Sequence, residues 1–221
     1  MNRHFDDELA QFSERLSTMG VHAERALRHA IQAFTERNDQ LALEVEKNDD
    51  ITDQYEKDID EMAINLLAKA PLATDLRLVT VAMKISQNLE RVGDEATTIA
   101  RRARELNAEP PLEIDDQIPR MAALALGMLH DALEAFVNRK PDQARAVIPR
   151  DKEVDVLNRR IYRELAEFMA ENPAAIGRCV HLITVAKSLE RAGDHATNIA
   201  QQVVYVCEAL DIRHNANKML Q

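Results

Sequence analysis

Glu90 and Asp94 stand four residues apart in the segment LERVGDEATTIA (Leu89 to Ala100), and Glu190 and Asp194 repeat them in LERAGDHATNIA (Leu189 to Ala200). Nine of the twelve positions are identical, with Arg91/Arg191 and Gly93/Gly193 among them. Apolar residues at Leu89, Val92, Ala96, Ile99 and Ala100 follow helical spacing, so each segment is predicted to be the middle of a helix with both carboxylates on one face. Each motif helix is predicted to follow a helix that runs back from a tight turn, giving an antiparallel hairpin. Counting outward from Pro71-Leu72, Asp53 and Asp49 fall level with Glu90 and Asp94. Counting from Asn172-Pro173, Asp155 and Asp151 fall level with Glu190 and Asp194. Four carboxylates brought to one level would repel and raise one another's pKa. A bound multivalent cation removes that penalty, as in carboxylate-bridged metal sites between bundle helices. All-oxygen ligands favour hard ions such as Mg, Mn or Ca, with iron also compatible. The competing account is that these are solvated acidic faces, with Arg91 and Arg191 as neutralising neighbours. Recurrence on both arms of both hairpins favours the metal reading.

Other residues carry weaker signals. A glycine in mid-helix is about 1 kcal/mol worse than alanine, so Gly93 and Gly193 point to a close approach by backbone or metal. His195 replaces Glu95 beside the second motif and is a possible extra ligand, although a core-edge role is the simpler account; the same holds for His181. Arg77 and Arg178 open the motif helices and are expected in surface ion pairs. Cys179 and Cys207 lack CxxC spacing and are expected as reduced thiols.

The elements that position the motifs are all helical. Five glycines, seven prolines and no tryptophan among 221 residues, with abundant Ala, Leu, Glu and Arg, predict an all-α protein. The first helix is expected from about Phe5 to Arg37, with a seam through Phe5, Leu9, Phe12, Leu16, Met19, Ala23, Ala26 and Ala30. The second runs from about Gln40 to Lys69 and ends at Pro71; the third starts near Thr74 or Asp75, one of them its N-cap. A second set repeats the first at an offset of 102, with Met19/Met121, Ala23/Ala125, Leu27/Leu129 and Phe34/Phe136 in register. Pro149 has no counterpart and is expected to kink or restart the fifth helix. The expected architecture is two tandem pseudo-symmetric three-helix bundles, residues 1–108 and 117–221, joined by a linker at 109–116 around Pro110-Pro111. Each repeat is long enough to bury a core of its own.

Charge and hydropathy narrow the function classes. A formal net charge of −10 argues against nucleic acid or an anionic membrane as the main partner. The longest apolar run, Met121 to Leu129, is under half a membrane span. The charged opening MNRHFDDELAQF is unlike a signal peptide, so a cytoplasmic location is expected. A di-metal carboxylate enzyme in a helical bundle is one alternative, but the Glu-x-x-His pattern of such oxidases is absent, as are HExxH, a nucleophile elbow and a P-loop. A metal-free helical adaptor is the other.

At the repeated LERxGD motifs, the ATDLRLV segment (Ala73 to Val79) and the double three-helix plan, nearly the whole chain resembles the PhoU family of phosphate-transport regulators. Carried onto this sequence, the family signature falls on Glu90, Asp94, Glu190 and Asp194, with Asp49, Asp53, Asp151 and Asp155 as partners. The resemblance implies a cytoplasmic homodimer that binds divalent or trivalent metal ions (Mg, Mn, Fe or Zn) and is not an enzyme. It also implies negative regulation of a high-affinity phosphate ABC transporter and of a phosphate sensor histidine kinase, with membrane contact only through those proteins. The second repeat reads AAIGRCV where the first has ATDLRLV, so a role for Asp75 does not transfer.

Overall fold

The computed structural model describes residues 3–69, 72–112 and 117–213. The expected break at Pro71 and the part of the linker at 113–116 lie outside them. The described residues contain helices and no strand, in the order α1 (Arg3–Thr35), α2 (Asp39–Lys47), α3 (Asp50–Leu67), α4 (Ala73–Asn107), α5 (Gln117–Val137), α6 (Pro141–Val147), a 3-10 turn (Ile148–Arg150), α7 (Asp151–Glu171), a second short 3-10 turn (Pro173–Ala175) and α8 (Ile176–Glu208).

Helix α1 forms where the apolar seam required it. Phe12, Leu16, Met19 and Ala23 are fully buried, after which the stripe moves to Leu27 and Ala30 and leaves Ala26 at the edge. This drift is expected of a straight helix with 3.6 residues per turn. Helix α5 buries Met121, Ala125, Leu129, Ala132 and Phe136 at the matching places. Both helices end in the same way: Arg37 and Arg139 adopt φ of 53°, and the next amide bonds back five residues, Asn38 to Ala33 and Lys140 to Ala135, each at 2.9 Å. These bonds satisfy carbonyls that a helix terminus leaves open. The Asn38 side chain then caps α2 by accepting from the Leu41 amide at 3.1 Å.

Two expectations are corrected. The middle helix of the first repeat is broken, with α2 ending at Lys47 and α3 starting at Asp50. The second repeat breaks at the same place, where Pro149 sits in the 3-10 turn. Pro149 therefore marks a shared break and not a departure; the first repeat turns there without a proline, through bonds from the Asn48 amide to Val45 and the Ile51 amide to Asn48. Second, α4 starts at Ala73 with Leu72 at the cap position and no side-chain cap, so neither Thr74 nor Asp75 serves as N-cap.

Helices α4 and α8 pack against each other along the middle of the molecule. They run antiparallel, as contacts down their length show: Arg77 lies over the Tyr205 ring, Asn88 meets His195, Glu95 meets Arg191, and Glu105 meets His181. Leu89, Val92, Ala96 and Ile99 are buried, as are Leu189, Ala192, Ala196 and Ile199. A single hydrophobic cluster runs through both repeats. The two cores are joined because each long helix offers its second apolar face to the other. Antiparallel packing centred on the motifs also brings both copies to one level.

Candidate metal centre and inter-repeat cleft

The helix break delivers the first carboxylate of each set. Asp49 stands at the cap position of α3 but makes no side-chain capping bond. It reaches instead across to α4, where Thr97 Oγ1 donates to its Oδ1 at 2.7 Å and Arg101 Nη2 lies 3.7 Å from its Oδ2. Asp53 follows one turn later. In the second repeat Asp151 opens α7 directly after the 3-10 turn, and Asp155 follows. Glu90 and Asp94 come from the middle of α4, Glu190 and Asp194 from the middle of α8.

The predicted carboxylates influence one another electrostatically within each repeat. In the first, burial pushes Glu90 and Asp94 above the usual carboxylate range; Asp94 adds to the effect on Glu90, and Asp49 and Asp53 add to the effect on Asp94. In the second, burial and then Asp155 and Glu190 raise Asp151. Asp194 is raised furthest, to about 6, by burial first and then by Asp151, Glu190 and Asp155. Its surface is still open to water, and the crowding of like charge on one side adds to the effect of burial.

The arginine repeats but its partner does not. Arg91 stays in its own group, 3.3 Å from Glu90 and 3.3 Å from Asp94. Arg191 turns away, across the α4/α8 seam, to Glu95 of the first repeat at 3.2 Å. Lys187 bonds Glu190 at 2.6 Å in its place, which leaves Asp194 with less compensation than Asp94 has.

The two groups border one cleft of about 820 Å³, lined by Asp49 and Asp94 from one repeat, Asp151 and Asp194 from the other, and Arg91, Arg101, Arg191 and His195 between them. Spacing within each repeat gave no sign of this shared cleft, because it depends on how α4 and α8 pack. Glu56 also escaped notice. It lies one turn beyond Asp53, and burial followed by the charges of Asp60, Asp53 and Asp94 raises its pKa. Its counterpart is Asn158, so the first group is richer in carboxylates than the second. Thr97 could have been found, since the repeated motif includes Thr97/Thr197. Thr197 is buried beside Asp151, yet its Oγ1 makes no bond of normal geometry.

Of the two motif glycines, only Gly93 is required by helix packing. A methyl group at Gly93 would lie 2.6 Å from Thr52 Oγ1, so the close approach is by the α3 side chain; at Gly193 the nearest atom is Val154 Cγ1 at 3.5 Å, an ordinary contact. His195 is not directed into a carboxylate group: its Nδ1 is 3.0 Å from Asn88 Oδ1, and burial lowers its pKa. His181 lies 3.0 Å from Glu105. Arg178 pairs with Glu109 at 3.4 Å and bonds the Pro110 carbonyl, while Arg77 stacks on Tyr205. Cys179 and Cys207 are free thiols.

The donor set suits a hard cation: carboxylate oxygens crowded with like charge, which with burial raises Glu90, Asp94, Asp151 and Asp194. Among the described residues, however, no three His, Cys, Asp or Glu side chains stand close enough to hold one ion. The carboxylates face each other without closing. No described helix is long and apolar enough to cross a membrane.

Comparison with known proteins gives a consistent family assignment. The PhoU domain model matches residues 16–103 and again 118–203, one match per repeat. A phosphate-specific transport system accessory protein PhoU homolog from Rhizobium meliloti (strain 1021) is 37% identical over 204 residues, covering 91% of this chain and 86% of the relative. The crystal structure of PhoU from Pseudomonas aeruginosa superposes with a TM-score of 0.91 at 36% identity, covering 93% of this chain and 100% of that one. The phosphate transport system regulatory protein PhoU from Streptococcus pneumoniae gives 0.87 at 25% identity, covering 94% and 98%.

Proposed function

The chain belongs to the PhoU family, and from that premise we propose that it is a non-enzymatic accessory protein of phosphate-specific transport. In this reading it acts in the cytoplasm as a homodimer, restrains a high-affinity phosphate ABC transporter, and holds a phosphate sensor histidine kinase in its inhibitory state. Metal ions set the shape that these partners meet.

The observation that carries the metal part is that Asp49 and Asp94 of one repeat and Asp151 and Asp194 of the other line one cleft, each pair containing a carboxyl whose pKa is raised. Asp49, Asp53, Glu90 and Asp94 would hold metal in the first repeat, and Asp151, Asp155, Glu190 and Asp194 in the second. Bound Mg, Mn, Fe or Zn would supply positive charge that offsets the repulsion; the oxygen donors favour the harder ions. The effect on the chain is mechanical. Each group joins the start of α3 or α7 to the middle of α4 or α8, so drawing its carboxylates together ties the two arms of a hairpin. Because α4 and α8 share the central seam, a change in one hairpin is transmitted to the other.

A metal-free adaptor is the second reading. Arg91 and Lys187 already offset part of the charge, and no three ligands converge among the described residues.

Metal content measured by mass spectrometry on gently purified protein separates the two, beside an Asp94→Asn/Asp194→Asn variant. Near-stoichiometric metal that falls in the variant supports the first reading; none in either leaves the adaptor. The regulatory part is tested by phosphate uptake in cells lacking the gene, where restoring the chain should lower uptake in phosphate-rich medium.

A further inference from the structure

The two repeats diverge on the outer faces of their hairpins, and the divergence is complementary. Between α7 and α8 lies an open, largely apolar groove of about 810 Å³, with Tyr162, Ile183 and the edge residues Arg159, Arg163 and Lys187 among its lining. Tyr162 is 60% exposed, and Arg163 has no ion-pair partner among the described residues. At the offset of 102, Tyr162 and Arg163 correspond to Asp60 and Glu61 on α3, and at the motif offset of 100 Lys187 corresponds to Gln87 on α4. Glu61 and Arg163 thus reverse charge between the faces and Asp60 gives way to Tyr162, while Lys57 and Arg159 keep the same sign and Glu167 also lines the groove. Asp60, Glu61 and Ile64 are exposed together along α3, with Ile64 at 63%. Neither acid has a cationic partner among the described residues.

We propose that these faces bind each other between two copies of the chain. Helix α3 of one copy lies in the α7/α8 groove of the other, Ile64 enters beside Tyr162, and Asp60 and Glu61 meet Arg163. An apolar anchor flanked by opposite charge is the usual form of helix-in-groove recognition, and charge complementarity selects the register. The contact is heterologous, so it closes only if both copies can use both faces at once. The occupant is a second copy because the chain itself carries the matching acidic face. This deepens the homodimer reading above and uses none of the carboxylates assigned to metal.

The test is sedimentation equilibrium on the full chain, with Arg163→Glu, Glu61→Lys and the double variant, each checked for helicity and thermal melting. Wild type should associate, and each single reversal should raise the dissociation constant about tenfold or more by placing like charges opposite each other. The double variant should regain wild-type association, since both charges are exchanged. A monomeric wild type would overturn the face assignment and the homodimer reading together. An associating wild type that is indifferent to the reversals, or a double variant that stays dissociated, would overturn the face assignment alone.

Discussion

Arg191 of the second repeat reaches Glu95 of the first, Nη1 to Oε1 at 3.2 Å, across the seam between α8 and α4. Glu95 is only 8% exposed, and Arg191 is its ion-pair partner. The pseudo-symmetric place pairs Arg91 with His195, two basic groups, and both arginines help burial to keep His195 below its ordinary pKa. The duplication has therefore kept the motif while giving the seam one ion pair and one neutral histidine. Replacing Arg191 with Met should destabilise the protein by about 1–3 kcal/mol, because a largely buried carboxylate is left unpaired. Glu95→Gln should be milder, since Arg191 is well exposed and water can take over. Urea unfolding of both variants checks the order; equal losses would mean that Glu95 does not depend on Arg191.

Metal should couple to stability. If the carboxylate groups bind it, adding Mn or Mg at a hundredfold excess over its dissociation constant should stabilise the fold by about 2–3 kcal/mol. The Asp94→Asn/Asp194→Asn variant should lose most of that gain. Calorimetric melts with and without chelator read the difference, and a wild type that melts alike in both would count against the sites.

Asp194 gives a pH dependence of definite sign. Its folded pKa, about 6, lies above the ordinary aspartate value, so the folded protein holds a proton that the unfolded chain releases. That contribution is complete below the unfolded value and is lost as pH rises through about 6. In chelated protein, Asp194→Asn should therefore gain stability over wild type as pH rises from about 4 to about 7. Paired thermal melts across that range isolate the residue from other titrating groups. A gap that is constant with pH would remove Asp194 as a strained carboxyl.

The two motif glycines should respond differently to alanine. Gly193→Ala places a methyl in ordinary contact with Val154 and should be neutral or stabilising by up to about 1 kcal/mol through helix propensity. Gly93→Ala drives a methyl against Thr52 Oγ1 and should destabilise by about 1–3 kcal/mol. Combining it with Thr52→Ala should recover part of that loss, as a double-mutant cycle would show.

The sequence by itself determined the helical class, the duplication and the placement of the buried stripes, and it proposed two groups of four carboxylates, of which no three close on one ion among the described residues. Each rests on local periodicity or on reflection about a turn, which the chain encodes within one hairpin. The turns at Asn38 and Lys140 were legible for the same reason. The break before Asp49 was not, because no proline or glycine marks it; only its match to the Pro149 turn in the other repeat reveals it. Glu56 was hidden because its role depends on what α4 places beside it. Tertiary structure alone decided that α4 and α8 pack antiparallel with their motifs level, and this created the shared cleft, sent Arg191 to Glu95 and merged the two cores. Those relations join residues about a hundred positions apart on different helix faces, and periodicity along one helix carries no information about which face another helix will cover.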